Sequence, residues 1–265
     1  MRVRPPSRSL SRSLPLLLVL ALTLVGCAAG HTSTDPTGVH DDDFGTARAF
    51  TVTEDGTLNP TPDAAAEGIW ELYARIATRE YAATMMSSYR VGNAPDSDTL
   101  AYVSPDPDAP GRWTLAANEA FADDRDLLTS TLVHEFAHVL SLNTTEIDAD
   151  SGPCPTLAVS EGCARAGSAI LDFQRQFWAA YADAPNPDND DSAVADAFYA
   201  AHEADFVSAY AATNVVEDFA ETFMTYVLET APADASSPIG AKMAFFDAHP
   251  SWAAQATRIR TALGR

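Results

Sequence analysis

The segment 131–140, TLVHEFAHVL, contains two histidines four residues apart, with a glutamate directly after the first. On an α-helix, residues i and i+4 lie on one face, so His134 and His138 can direct imidazole nitrogens at one metal ion. Glu135 is displaced around the helix axis, where it misses the metal but reaches a water bound to it. Zinc lowers the pKa of such a water towards neutrality, and a carboxylate can take its proton. The segment therefore predicts a zinc-dependent hydrolytic site with one Zn²⁺ per chain and Glu135 as the general base.

The residues around the two histidines are mostly apolar, which predicts a largely buried helix. Two histidines and a glutamate are costly in such a helix unless they bind something. The alternative that needs no metal is a pair of core histidines satisfied by hydrogen bonds.

A catalytic zinc needs a third protein ligand. The metzincin pattern would place Gly and His three and six residues after His138, but Ser141 and Thr144 stand there. A later, mostly apolar segment carries Glu217 and Glu221, again four residues apart. Two acids on one face of a mostly buried helix need a cation or a histidine partner. We therefore expect Glu217 to bind zinc and Glu221 to orient a ligand histidine.

Two alternatives stay open for this helix. In the first, the helix is rotated and Asp218 is the metal ligand instead of Glu217. In the second, Glu217 and Glu221 lie on the solvent face of the helix and bind no metal.

The segment 210–223, YAATNVVEDFAETF, resembles the third-ligand helix of the anthrax lethal factor catalytic domain and its relatives, which are zincins of the gluzincin type. The resemblance implies that Glu217 is the zinc ligand and that Glu221 sits close behind the site. It also implies that Tyr210 assists catalysis by donating a hydrogen bond near the metal. It covers residues 134–138 and 210–223, and gives no expectation for the insertion 143–209 or the substrate groove.

Helical periodicity and turn residues predict the elements that position these groups. We expect a strand at 49–52, a helix at 62–84 with Thr61 as its N-cap, and a hairpin of strands 100–103 and 113–116. Further helices are predicted at 126–142, 167–182, 193–210, 215–230, 239–248 and 252–263. Together with the resemblance, this predicts an α+β, mainly helical, zincin-like metallopeptidase domain over residues 48–265, with a small sheet beside the active-site helix.

The N-terminus has the features of a bacterial lipoprotein signal peptide over residues 1–26. A basic, Ser-rich start precedes the apolar run 14–25, which is short for a transmembrane helix. The sequence Leu24-Val25-Gly26-Cys27 resembles a lipobox, which implies lipidation of Cys27 and a location on the extracytoplasmic face of the cell membrane. Residues 27–47 are polar and are expected to form a flexible tether. An ordinary cleaved signal peptide is the alternative.

The other two cysteines, Cys154 and Cys163, form an even pair in a chain that we expect to be exported. This favours a disulfide over thiolate ligation of zinc.

The formal net charge of -21 argues against nucleic acid and anionic lipid as partners. Membrane contact is therefore expected through the N-terminal lipid only. We expect a monomeric zinc peptidase acting on a peptide or protein substrate. Two alternatives remain: a zinc-binding but non-catalytic scaffold protein of the cell envelope, and a zinc hydrolase of a non-peptide envelope amide.

Overall fold

The computed structural model describes residues 38–150, 152–229, 234 and 236–265, which form an α+β architecture with one main sheet. The strands of this sheet are β1 (Gly38–Asp41), β2 (Gly45–Val52), β3 (Leu58–Asn59), β4 (Met86–Gly92), β5 (Ala101–Pro105) and β6 (Trp113–Asn118). Their order is β1-β2-β4-β6-β5, with β3 beside β2. Only β4 and β6 pair in parallel; the other pairs in this sheet are antiparallel. β5 is therefore an edge strand, next to the fully buried β6.

Helices pack beside this sheet and along the rest of the described chain. They are α1 (Ala64–Ala77), α2 (Arg79–Met85), α3 (Arg125–Leu142), α4 (Ala169–Phe173), α5 (Ser192–His202), α6 (Val215–Leu228), α7 (Pro238–Ala248) and α8 (Pro250–Leu263). α3 contacts α1, α6 and the edge strand β5, which explains why it is buried almost all round. Phe219 and Phe223 of α6 pack against Phe246 of α7 and Trp252 of α8, and these rings fix α6 in the core.

Both site-bearing helices begin at a side-chain cap. Asp124 accepts a hydrogen bond from the backbone N–H of Leu127 at 3.1 Å, and α3 follows. Asn214 accepts from the N–H groups of Val216 and Glu217, at 2.8 and 2.9 Å. Such caps satisfy backbone donors that have no partner within the helix. The Asn214 cap thus places Glu217 in the first turn of α6.

The predicted helix 126–142 and the predicted hairpin are confirmed by α3 and by the antiparallel pair β5 and β6. The prediction of a single helix at 62–84 is wrong, because the structure has two helices there, α1 and α2. The first cap is Asp63 rather than Thr61, and the helix breaks at Thr78, which has φ of 80°. The Thr78 hydroxyl then caps α2 by accepting from the N–H of Tyr81 at 3.2 Å. Periodicity alone concealed this break because apolar residues continue on both sides of it.

The tether predicted at 27–47 is wrong over residues 38–47, which form β1 and the start of β2. Asp41 is buried in the turn between them and accepts from the N–H groups of Asp43 and Phe44. Phe44 is also buried. The turn and the burial of this aromatic ring therefore order a segment that is otherwise polar. The predicted signal peptide, Cys27 and the first part of the tether lie outside the described residues. Among the residues described, no helix is long and apolar enough to span a membrane.

The insertion between the two site-bearing helices contains a second, small sheet. Its strands are β7 (Ile147–Asp148), β8 (Ala158–Val159) and β9 (Gly162–Ala164). Cys154 and Cys163 form the expected disulfide beside it. The helix predicted at 167–182 is shorter, since α4 continues only as a π-turn to Trp178. The helix predicted at 193–210 ends at His202, and Tyr210 instead begins a 3₁₀ turn that leads into α6.

Candidate metal centre

Three side chains from α3 and α6 converge on one point. The Nε2 atoms of His134 and His138 lie 3.0 Å apart. Oε2 of Glu217 lies 3.1 Å from the former and 3.4 Å from the latter. Two ligands that each lie about 2.05 Å from a tetrahedral ion are separated by about 3.3 Å. The triangle therefore has the size of a site that could hold one tetrahedral metal ion.

The hydrogen bonding of these residues is incomplete in a way that fits a metal. Oε2 of Glu217 and Nδ1 of His138 are buried and have no hydrogen-bond partner among the described residues. Although both imidazole Nε2 atoms approach the carboxylate oxygen, neither contact has the geometry of a hydrogen bond. A buried polar atom without a partner costs about 1–3 kcal/mol. A cation at the centre of the triangle would satisfy the Glu217 oxygen.

Glu221 holds His134 from behind. Its Oε1 lies 2.9 Å from Nδ1 of His134, and Ser208 donates its hydroxyl to Oε2 at 2.6 Å. With Nδ1–H donated to Glu221, the Nε2 lone pair of His134 points at the triangle. Glu221 therefore lies behind His134, on the side away from the triangle, and its role in orienting a metal ligand stays a prediction. Sequence reasoning missed Ser208, because the 3₁₀ turn that returns it to α6 has no periodic pattern.

The electrostatics of the triangle favour a positive charge. Burial opposes protonation of His134, but the carboxylates of Glu217 and Glu221 outweigh it and raise the pKa of His134 to about 10. Burial acts against the charged form of Glu217, yet the two histidines lower its pKa well below the usual range. Without a metal, the site thus keeps a proton where a cation would otherwise balance its carboxylates.

Glu135 faces a cavity of about 210 Å³ whose walls also include His134, His138, Tyr210 and Glu217. The backbone N–H of Val103 on β5 donates to Oε2 of Glu135 at 3.0 Å. This bond holds the carboxylate beside the triangle without making it a ligand. A carboxylate in this position can exchange a proton with a molecule in the cavity.

Tyr210 lies in the same wall, with its ring centroid 5.9 Å from that of His134. Burial raises the pKa of Tyr210 well above its usual range, and the carboxylates of Glu217 and Glu135 add to the effect. The phenol therefore stays protonated at neutral pH and is available as a hydrogen-bond donor.

A second cavity, of about 280 Å³, shares Val103, His138 and Glu217 with the first. Its remaining wall comes partly from the insertion, at residues 160–161 and 187–190. This groove could not be predicted from the sequence, because its walls come from segments that are distant in the chain.

The fallback ligand Asp218 points away from the metal centre. Its carboxylate is fully buried, 2.7 Å from Nζ of Lys242 and 2.7 Å from the indole Nε1 of Trp178. Lys242 also donates to the backbone oxygen of Asp205 at 2.7 Å. Asp218 is thus part of a buried ion pair that links α6 to α7, and the expectation of it as an alternative ligand is wrong. The disulfide likewise removes Cys154 and Cys163 as thiolate ligands.

No family model, no curated protein and no solved structure matches this chain. The function of the site has to be argued from its residues and their geometry. The described residues contain one group of three side chains whose ligand atoms are close enough to hold a metal: His134, His138 and Glu217.

Proposed function

We propose that this chain is a zinc-dependent peptidase of the gluzincin type, with His134, His138 and Glu217 as the metal ligands. The observation that carries the proposal is the triangle of three ligand atoms, 3.0–3.4 Å apart, with a buried carboxylate oxygen that lacks a partner. Two imidazoles and one carboxylate are a common ligand set of catalytic zinc, which leaves a fourth position open. Zinc supplies a Lewis acid that polarises a carbonyl and lowers the pKa of water towards neutrality.

Two residues then act on the reacting groups, and two others position a metal ligand. Glu135 takes a proton from the attacking water and passes it to the leaving amine, and its bond to the Val103 N–H keeps it in reach of the cavity. Tyr210, protonated at neutral pH, donates a hydrogen bond to the oxygen that develops negative charge. Glu221 and Ser208 fix the orientation of His134 and do not touch the substrate.

A peptide substrate is favoured by the edge strand. The backbone edge of β5 that does not pair with β6 faces the catalytic side, because Val103 donates from that edge to Glu135. Extended peptides bind such edges by adding a strand through main-chain hydrogen bonds. Because the Val103 N–H is bonded to Glu135, a peptide would pair with the other main-chain groups of this edge. A peptide beside β5 would run past Glu135 and the metal ligands.

The proposal also places the mature protein outside the cell membrane, held by a lipid on Cys27. A lipobox-like sequence ends at that cysteine. The disulfide between Cys154 and Cys163 agrees with an oxidising compartment.

The proposed activity is tested by incubating the purified, zinc-loaded chain with a mixed-sequence peptide library and identifying cleavage products by mass spectrometry. Glu135→Gln is the matched control, since an amide oxygen still accepts from the Val103 N–H while the proton acceptor is removed. We expect internal or terminal peptide cleavage that Glu135→Gln loses by at least about 10²-fold. A zinc-loaded chain that cleaves no peptide would contradict the peptidase function and would favour a zinc-binding, non-catalytic protein of the cell envelope. Release of products from cell-wall fragments alone would identify the amide hydrolase instead.

A further inference from the structure

The second cavity adjoins the metal centre and has walls of two kinds. Its buried lining combines the apolar side chains of Trp113, Leu142 and Val216 with the polar side chains of His138 and Asn214. Its more exposed lining is acidic and consists of Glu161, Asp188 and Asp190. None of the described residues that line it is a lysine or an arginine. The cavity therefore has an apolar patch beside polar groups inside and is negative at its rim.

The acidic rim is held in place by contacts between the insertion and α6. The backbone N–H of Ser160 donates to Oδ1 of Asp188 at 2.7 Å, which joins the disulfide-closed loop to the segment 187–190. Asn189 donates its side-chain amide to the oxygen of Thr213, and Asn214 donates back to the oxygen of Asn189, both at 3.0 Å. The segment is thus fastened to the cap of the helix that carries Glu217.

Two buried polar atoms that have no hydrogen-bond partner within the described part of the chain belong to residues in the same wall. One is Oε2 of Glu217, which faces the metal triangle, and the other is Nδ1 of His138, whose side chain is 10% exposed. The acidic rim therefore borders two residues that each have a buried polar atom available for a further interaction. A substrate positioned at the metal centre has this cavity as its neighbour.

We propose that the second cavity binds the side chain of a lysine or arginine in the peptide substrate, next to the bond that is cleaved. The aliphatic part of such a side chain packs on apolar surface while its charged end reaches polar groups, and the cavity offers this arrangement. The cation then lies near the three rim acids, with the stem against Trp113, Leu142 and Val216. This inference rests on the proposed peptidase function, and it gives the insertion a role in substrate selection.

The inference is tested by binding rather than by turnover. The zinc-loaded Glu135→Gln chain is titrated with blocked pentapeptides, acetyl-Ala-Ala-X-Ala-Ala-amide, in which X is lysine, norleucine or glutamate. Norleucine keeps the lysine stem without its ammonium group. Each partly exposed acid is expected to contribute about twofold, so lysine should bind about eightfold more tightly than norleucine at low salt. The preference should shrink as ionic strength rises.

Two triple variants are compared. One removes the three acidic charges of the rim, and the control removes three acidic charges elsewhere on the surface. In Glu161→Gln/Asp188→Asn/Asp190→Asn, we expect the lysine and norleucine peptides to bind within about twofold of each other. In Glu54→Gln/Glu67→Gln/Asp196→Asn, whose acids are exposed and line neither cavity, the preference should be unchanged.

Equal affinity for lysine and norleucine in the parent, or a preference that survives removal of the rim acids, would overturn the inference. The cleavage assay fails or succeeds separately. Selective binding of lysine by a chain that cleaves nothing would retain the subsite and refute the peptidase function. Absence of binding by all three peptides would overturn the subsite, while the cleavage assay alone would decide the peptidase function.

Discussion

Replacement of Glu221 by alanine should weaken zinc binding without removing a metal ligand. In the structure, Glu221 is 1% exposed, its Oε1 is 2.9 Å from Nδ1 of His134, and its Oε2 accepts from Ser208. A hydrogen bond to a charged group contributes about 1.5–3 kcal/mol, and loss of a residue that orients a metal ligand costs roughly 10–100-fold in metal affinity. We therefore expect the zinc dissociation constant of Glu221→Ala to rise by about 10–100-fold.

The assay is competition for zinc against a chromophoric chelator at fixed pH. Glu221→Gln should recover much of the affinity, to within about tenfold of the parent, because its amide oxygen can still accept from His134. Glu229→Ala, at the exposed end of the same helix, is the control and should bind zinc like the parent. Unchanged affinity in Glu221→Ala would refute the positioning role. A loss as complete as that of Glu217→Ala would make Glu221 a ligand and refute the division of roles between the two glutamates.

Three further predictions concern the surroundings of the metal centre. Tyr210→Phe should lower kcat for peptide cleavage by roughly 10²-fold in steady-state kinetics. Metal analysis should show that its zinc content stays at the parent level. A kcat equal to that of the parent would show that Tyr210 has no role in catalysis. Lys242→Met should lower the free energy of unfolding by about 3–5 kcal/mol in urea titration, because the buried carboxylate of Asp218 loses its partner. Adding Asp218→Asn to this variant should restore part of the lost stability. Equal stability of Lys242→Met and the parent would contradict a stabilising ion pair. In the metal-free chain, the pKa of His134 is raised from 6.5 to about 10, so its stabilising contribution is complete below pH 6.5 and is lost as pH rises through about 10. The pKa of Glu217 is lowered from 4.5, so its contribution is present above pH 4.5 and is lost as pH falls. Thermal unfolding in chelator should thus show a melting temperature that falls between pH 6.5 and 10, and a flat profile there would contradict the assignment.

The sequence predicted the metal centre better than the groove around it. His134, His138, Glu217 and Glu221 could be placed because helical spacing fixes which residues share a face, and because acids in apolar helices need partners. In the structure, these four residues lie together with Glu135 and Tyr210.

What sequence reasoning missed depends on contacts between distant segments. The break at Thr78 and the strands within residues 38–47 are stabilised by caps and sheet pairing that composition does not reveal. Asp218 has the residue type of a ligand, and only the packing of α7 against α6 shows that its partner is Lys242. Ser208 and the acidic rim likewise depend on irregular turns whose course no periodic pattern predicts.

We propose that His134, His138 and Glu217 hold one zinc ion, and the metal content of the purified chain decides this. Zinc is measured by mass spectrometry after zinc loading and removal of excess metal, in the parent and in Glu217→Ala. We expect about one zinc per parent chain and a large loss of zinc in Glu217→Ala that Glu229→Ala does not share. A parent chain that retains no zinc, or a Glu217→Ala variant that retains all of it, would refute this metal site.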